Sequence, residues 1–307
     1  MDSMAYNKKQ KIVVIVGPTS SGKSALAVEL ARTFNGEVVS ADSRQVFQGL
    51  DIGAGKIKKR EMRGVPHHLL DVASPKRIFT AHDFLRRAQK VVEDIARRGK
   101  LPIVAGGTGF YIDALVGRTI LPDVSPNHSL RARLETKSAE QLFALLKKKD
   151  PRRAKRIDSH NKRHLIRALE IINTLGKVPT IRNRLPYDVH WIGITLPREE
   201  LYKNIHVRLL SRMREGMVAE ARRLRACGLS SKRMEALGLE YRALARHLEG
   251  KVGRAEMIRE LEYDIRHYAK RQMTYWRRNK TITWFLPKDT ERIEKVVEEW
   301  ITKRRSA

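Results

Sequence analysis

The chain has 307 residues, with 63 Lys+Arg against 34 Asp+Glu and a formal net charge of +29. At about 150 residues per domain this length predicts two domains, and 41% apolar residues exclude a disordered or collagen-like chain. The charge calls for a polyanionic partner, nucleic acid or an anionic membrane surface, while a single cysteine, Cys227, excludes a disulfide framework and a cysteine-built zinc site and fits a reducing, cytoplasmic compartment.

The first eleven residues are polar and basic, so residues 1–11 are expected to be a short disordered lead-in rather than a secretory signal. Ile12 to Val16 is a β-branched run, the pattern of a strand buried on both faces of a parallel sheet. It falls far short of the ~18–20 apolar residues that a membrane span needs, and no membrane association is expected. A Gly-rich turn follows, then a helix through residues 25–31, a second strand over residues 37–40 and a charged loop from Gly53 to Pro66. Thr80 and Asp83 have the spacing of a capping box opening a helix that stops at Gly99. A third strand, Leu101 to Ala105, leads into Gly106-Gly107-Thr108 and a helix ending near Val116.

Strands alternating with helices predict a doubly wound α/β core. From Arg118 to Asp188 the composition shifts to 17 Lys+Arg against 7 Asp+Glu, with prolines marking turns between helical stretches. His190 to Leu196 returns to strand character. Helices are then expected over residues 199–225, 254–278 and 291–303. The predicted organisation is an α/β core over residues 12–120 and 190–307, interrupted by a basic helical insertion over residues 121–189.

Gly17-Pro18-Thr19-Ser20-Ser21-Gly22-Lys23-Ser24 matches the P-loop pattern at every fixed position, with a strand before it and a helix after it. Backbone N–H groups of such a turn wrap anionic oxygens, Lys23 supplies a point charge, and the Ser24 hydroxyl is placed to ligate Mg²⁺. The motif identifies a di- or triphosphate, ATP included, without saying which molecule carries it. The rest of a nucleotide hydrolase is missing: no D-x-x-G switch and no N-K-x-D guanine reader follow. The core is thus P-loop NTPase-like, a parallel sheet flanked by helices, with an inserted all-helical subdomain.

Asp42 ends the second strand, and ligands of open α/β sheets bind at the carboxyl ends of strands. A carboxylate there acts as a general base, holds Mg²⁺ through water, or forms a turn. Arg44 and Gln45 either read a base edge or are solvated.

The ordered set Gly17–Ser24, Asp42-Ser43-Arg44-Gln45-Val46-Phe47, Asp51-Ile52-Gly53, Pro66-His67-His68-Leu69-Leu70-Asp71, Gly106-Gly107-Thr108-Gly109-Phe110-Tyr111, Arg167-Ala168-Leu169-Glu170 and Ala269-Lys270-Arg271-Gln272 resembles the tRNA dimethylallyltransferases (tRNA isopentenyltransferases) over residues 10–300. The resemblance implies transfer of a dimethylallyl group from dimethylallyl diphosphate to N6 of the adenine just 3′ of the tRNA anticodon, with Mg²⁺ as cofactor and no obligate protein partner, the chain acting as a monomer. It implies Asp42 as the catalytic base, Thr108 as a catalytic residue between the two substrates, and the P-loop with Arg208 as the diphosphate site. Asp42, Ser43, Arg44, Gln45 and Thr108 match positions around the target nucleotide. Arg131, Arg163, His164, Leu165, Ile166, Arg167, Arg266, Lys270 and Arg271 match positions at the tRNA surface.

The residues supply part of this reading themselves. Arg163 and Arg167 are four apart and share a helix face, whereas Leu165, Leu169 and Ile172 fall on an apolar one. Arg259, Arg266, Lys270 and Arg277 make a basic stripe, interleaved with Tyr268, Tyr275 and Trp276, and residues 266–280 hold six basic residues and no acid. His67 and His68, adjacent on an extended segment, point opposite ways and read as structural. The chain departs from the family at Gly53-Ala54-Gly55-Lys56, where Gly-Thr-Ala-Lys is usual, at His164, and at Leu239-Glu240-Tyr241 after Gly238. A P-loop kinase of a small molecule or nucleotide and a non-catalytic RNA-binding module are the alternatives, and neither uses the whole motif set.

Overall fold

A computed structural model describes residues 9–180 and 185–303 of the chain. In chain order the elements are β1 (Gln10–Val16), α1 (Lys23–Thr33), β2 (Gly36–Ser40), α2 (Lys59–Met62), β3 (His67–His68), α3 (Ala81–Arg97), β4 (Leu101–Ala105) and α4 (Gly109–Leu115). Next come α5 (His128–Glu135), α6 (Ala139–Lys149), α7 (Pro151–Ala154), α8 (Lys162–Leu175), β5 (Tyr187–Ile194), α9 (Arg198–Arg214) and α10 (Met217–Ala226). The last are α11 (Ser231–Ala236), α12 (Leu239–Leu248), α13 (Arg254–Trp276), β6 (Thr283–Phe285) and α14 (Thr290–Thr302).

The described residues form two compact units, one from residues 9–116 and 185–303 and the other from residues 117–180. The helical unit thus begins four residues before the expected boundary at 121. Its expected end at 189 lies inside β5, because Tyr187, Asp188 and Val189 pair with Gln10, Lys11 and Ile12 of β1. The same pairing corrects the lead-in: Gln10 and Lys11 are strand residues, held by backbone bonds that hydropathy does not see, and residues 1–8 lie outside the described residues.

The first unit is built on a six-stranded, all-parallel sheet of order β3-β2-β4-β1-β5-β6. Parallel strands joined by crossovers are buried on both faces. On one face Val13, Ile15, Ile103 and Ile192 pack against α1 and α14, and on the other Ile12, Val14 and Val104 pack against α3, α4 and Trp276. A third apolar cluster joins Val46, Phe47 and Leu50 to α9–α13. Because β1, β2 and β4 are parallel neighbours, the loops after all three emerge at one edge of the sheet, beside the reversal of strand order at β1.

The Thr80–Asp83 capping box forms as expected at the start of α3. The helix predicted over residues 199–225 is two helices, because Gly216 adopts φ +99° between α9 and α10. His67 bonds the Val65 carbonyl and His68 bonds Glu37, so each has a structural partner. In the second unit Leu130, Leu142, Leu146, Leu165, Leu169 and Ile172 form a separate core.

Candidate active site

The P-loop turns from β1 into α1 through Gly17 at φ +146° and Gly22 at φ +90°. A β-carbon on Gly17 would stand 2.3 Å from the Ile194 carbonyl oxygen, so only glycine lets the turn pass the end of β5. The N–H of Thr19 donates to Gln272 Oε1 at 2.8 Å. The N–H groups of Ser20 to Ser24 donate to no acceptor among the described residues, the usual state of a first helical turn and the one that accepts an anion. Ser21 Oγ is buried without a partner, and Ser24 is exposed.

Lys23 is 9% exposed, and its Nζ donates to the Pro18 carbonyl at 2.5 Å. Burial of the ammonium, and then the Arg208 charge, pull its pKa from the ordinary 10.5 down to about 7, against an opposing pull from Asp42. These couplings bring together three residues far apart in sequence. Arg208, on α9, is reachable by solvent yet walled by protein, and burial followed by the Arg212 charge lowers its pKa. Its Nη2 donates to the Gly55 carbonyl at 2.9 Å.

Asp42 follows β2. Its Oδ1 accepts from the N–H groups of Arg44, at 2.8 Å, and Gln45, at 3.3 Å. The carboxylate therefore forms the turn, and its other oxygen has no hydrogen-bond partner among the described residues. Gln45 is fixed at both ends of its amide, accepting from Ser40 Oγ at 3.3 Å and donating to Gly55 O at 3.4 Å. Thr108, at the end of the β4 loop, accepts the Ser43 N–H on Oγ1 at 3.0 Å, and its own N–H donates to Ala41 O at 3.1 Å. The β2 and β4 loops are thereby stitched together, with Asp42 and Thr108 in adjacent loops.

Two residues that complete this arrangement were given no role by the sequence, although Gln272 closes one of its motifs. Gln272 of α13, 5% exposed, takes the Thr19 N–H and donates to Gly107 O at 2.9 Å, bridging the P-loop to the β4 loop. Glu220 of α10, 2% exposed, accepts the N–H groups of Asp51 (3.0 Å), Ile52 (2.7 Å) and Gly53 (2.9 Å) and the Tyr241 hydroxyl (2.8 Å). It clamps the loop whose Gly53 and Gly55 carbonyls receive Arg212, at 2.9 Å, and Arg208. Two of the three family departures, all but His164, fall on this clamp. Tyr241 packs so closely on Gly53 that a β-carbon there would meet its hydroxyl at 2.6 Å, and one on Gly55 would meet Arg208 Nη2 at 2.7 Å. Glu240 pairs with Arg212 at 3.3 Å.

In the helical unit Arg163 and His164 are exposed near the start of α8. Leu165 and Ile166, assigned to the tRNA surface by resemblance, are corrected: both are buried in the core of that unit and point away from solvent. Arg131 and Arg167 are half-buried, and both bond the carboxylate of Glu170, which is 1% exposed. Arg131 is bidentate at 2.9 and 2.8 Å, and Arg167 also reaches Val124 O at 2.8 Å. Burial opposes the charge on Glu170, but hydrogen bonds from Arg131, Arg167 and the Asn127 N–H prevail and hold its pKa at about 2.

On α13, Lys270 and Arg271 are exposed and Arg266 is half-buried. The aromatic interleaving is corrected in part: Trp276 is core, while Tyr275 bonds Asp113 and Tyr268 reaches toward Gly107 O at 3.4 Å, with Arg278 and Arg271 over their rings at 4.3 and 5.8 Å. No helix among the described residues is long and apolar enough to cross a membrane.

A family model described as IPP transferase matches residues 45–279, which leaves the P-loop and Asp42 upstream of the matched segment. The chain is 43% identical over 286 residues to a tRNA dimethylallyltransferase of Thermomicrobium roseum, covering 91% of this chain and 87% of that protein. It is 39% identical over 296 residues to one of Anoxybacillus flavithermus, covering 94% of each. Among solved structures it is similar to the tRNA isopentenylpyrophosphate transferase of Bacillus halodurans, with a TM-score of 0.73, 37% identity and 94% and 96% of the two chains covered. It is also similar to a eukaryotic dimethylallyltransferase acting on tRNA, with a TM-score of 0.86, 25% identity and 96% and 80% covered. With well over half its length matched by the model, and relatives near 40% identical along almost all of it, the chain belongs to the IPP transferase family of prenyl-transferring enzymes.

Proposed function

We propose that the chain transfers the dimethylallyl group of dimethylallyl diphosphate to N6 of adenine 37 in tRNA, giving N6-dimethylallyladenosine and diphosphate. The observation that carries this reading is the Asp42 carboxylate: one oxygen is tied into its own turn and the other is unpartnered, in a cleft shared with Lys23 and Arg208. An exocyclic adenine amine is a poor nucleophile because its lone pair is delocalised into the ring. As its nitrogen bonds the allylic carbon, the carbon–oxygen bond to diphosphate breaks, and the free Asp42 oxygen takes the N6 proton.

Charge grows on the bridging oxygen of the leaving group. The N–H groups of Ser20 to Ser24, Lys23 and Arg208 surround the diphosphate, and Thr108, whose Oγ1 accepts from Ser43, keeps its own proton to donate. Ser24 is the protein's ligand for Mg²⁺. No cluster of three or more His, Cys, Asp or Glu able to hold a metal occurs among the described residues. A single exposed hydroxyl fits an ion held mainly by diphosphate oxygens and water, as Mg²⁺ commonly is. When bound, the ion neutralises leaving-group charge.

The adenine leaves the anticodon-loop stack to be read, at a cost of a few kcal/mol. Ser43, Arg44 and Gln45 line its position, while exposed Arg163, His164, Lys270 and Arg271, with Arg266 and the remaining N–H groups of Arg131 and Arg167, contact the RNA backbone. One chain suffices for one tRNA, so we assign a monomer acting in the cytoplasm.

The test is to incubate the protein with unmodified tRNA carrying adenines at 36 and 37, labelled dimethylallyl diphosphate and Mg²⁺. Label in RNA without ATP is expected; unlabelled RNA, with ATP consumed on a metabolite, would identify a kinase instead. Asp42→Asn keeps an Oδ1 for the turn and removes the base. It should lose about 10²–10⁴ in rate with tRNA affinity retained.

A further inference from the structure

A second feature of α13 lies on the face turned away from Gln272. Tyr263, Arg266, His267 and Lys270 follow one another at helical spacing, and Arg198 and Tyr202 of α9 close a pocket of about 200 Å³ around them. At 100° per residue, Tyr268 and Gln272 lie about 140–180° around the helix from Tyr263, so this pocket is not the catalytic cleft. Its floor is the Tyr202 ring, with the guanidinium of Arg266 at 4.8 Å and that of Arg198 at 5.2 Å from its centroid. Its rim is the Tyr263 ring, 62% exposed, with the His267 ring beside it at 4.3 Å between centroids. Its six lining residues include no acid, and the neighbouring Glu262 bonds Arg266 and His206. Arg198 and Lys270 are exposed and form no ion pair among the described residues.

We infer that this pocket binds one nucleotide of a single-stranded RNA segment, its base stacked on Tyr263 and His267 and its phosphate held by Lys270 and Arg198. The exposed Tyr263 ring beside His267 offers a planar platform, and every nucleobase has a planar face that stacks on one. The uncompensated cations beside it match the phosphate that accompanies each base. Tyr263 stands nine residues from Gln272, about 14 Å along the helix axis, a span of two or three nucleotides from the adenine being modified. The inference rests on the tRNA reading and extends it from Lys270, which a motif marks, to Tyr263, His267 and Arg198, which none does.

The test uses the full-length protein and a fluorescent anticodon stem–loop RNA. Tyr263→Ala should weaken binding about 5- to 100-fold, the effect of losing one stacked base, while Tyr263→Phe binds like wild type and the KM for dimethylallyl diphosphate is unchanged in both. Lys270→Ala should lower the slope of log affinity against log salt by about 1. Ultraviolet crosslinking of the wild-type complex should place RNA on the peptide carrying residues 263–267. A wild-type chain that binds no stem–loop sinks both readings. A wild type that binds and prenylates the RNA, beside a Tyr263→Ala variant of equal affinity, overturns this inference alone; so does a crosslink map that omits residues 263–267.

Discussion

Replacing Glu220 by glutamine changes one oxygen to an amide nitrogen with almost no change of shape. In the native chain Oε2 receives two backbone N–H groups, and Oε1 receives the Gly53 N–H and the Tyr241 hydroxyl. The least costly amide orientation puts nitrogen at the Oε1 position, where the tyrosine hydroxyl can rotate to accept. The Gly53 N–H is then buried without a partner, which costs about 1–3 kcal/mol. The two bonds left on oxygen change from charge-assisted to neutral, a loss of roughly 1 kcal/mol each, partly offset by no longer burying a charge.

The expected destabilisation is about 2–4 kcal/mol, seen as a drop in unfolding midpoint on the order of 5–10 °C. The effect on function follows from what the loop carries. Gly55 O holds Arg208 and Gly53 O holds Arg212, so a displaced loop releases the arginine assigned to diphosphate. The KM for dimethylallyl diphosphate should rise on the order of 10-fold, with the tRNA KM little changed. Tyr241→Phe, which removes one donor and leaves all three backbone bonds, should cost about 1 kcal/mol and leave the donor KM alone. If Glu220→Gln lowers stability without moving the donor KM, the clamp is not what places Arg208 and the reasoning fails.

Other consequences are as direct. Lys23, held near a pKa of 7 by burial and by Arg208, should regain its proton when diphosphate enters. Titration calorimetry at pH 8 in buffers of different ionisation enthalpy should show proton uptake that Lys23→Gln lacks; equal uptake in both would refute it. Glu170 has a folded pKa depressed to about 2 against an ordinary 4.5, so its contribution is complete above pH 4.5 and is lost as pH falls toward 2. Glu170→Ala should destabilise the helical unit by about 3–5 kcal/mol at neutral pH and flatten that acid limb, read by circular dichroism. Gln272→Glu keeps the acceptor for Thr19 but sets a carboxylate against the Gly107 carbonyl. The rate should fall at least tenfold with the tRNA dissociation constant unchanged, and a wild-type rate would show that the bridge is dispensable.

Sequence reading reached the parts of this site that are local in the chain. The P-loop, Asp42 and Thr108 each sit in a short loop just after a strand, and a parallel sheet delivers such loops to one edge whatever the rest of the chain does. It gave Glu220 no notice and Gln272 no role beyond a motif, because their partners are backbone groups 167 to 169 and 165 to 253 residues away, and a polar residue on an amphipathic helix carries no sign of which backbone it will meet. Leu165 shows the opposite case: helical period put it on the apolar face, motif position put it on the RNA, and the period was right. Tyr268 and Tyr275 were grouped with the basic stripe by nearness in sequence, whereas rotation around α13 sets them against Arg271 and Arg278 and puts Tyr263 and His267 beside Arg266 and Lys270. Gly216 breaks what otherwise reads as one helix, because a single glycine in an apolar-periodic run has no local mark of its backbone angle.

The net charge divides along a line that composition could not draw. Arg131 and Arg167 share one carboxylate, and Arg98, Lys100 and His68 surround Glu37, so these cations are partly neutralised where they stand. Lys23 and Arg208 are held instead by carbonyl oxygens, of Pro18 and Gly55. A carbonyl fixes the position of a cation without cancelling its charge. Burial lowers the proton affinity of both, followed by the Arg208 charge for Lys23 and the Arg212 charge for Arg208, and the opposing pull of Asp42 does not offset it. An anion entering such a cleft favours the charged form of both groups, and the diphosphate of the proposed reaction does so more than a singly charged ligand of the same size. Carbonyl anchoring therefore leaves the charge of Lys23 and Arg208 available to that proposed diphosphate ahead of any contact with the prenyl chain.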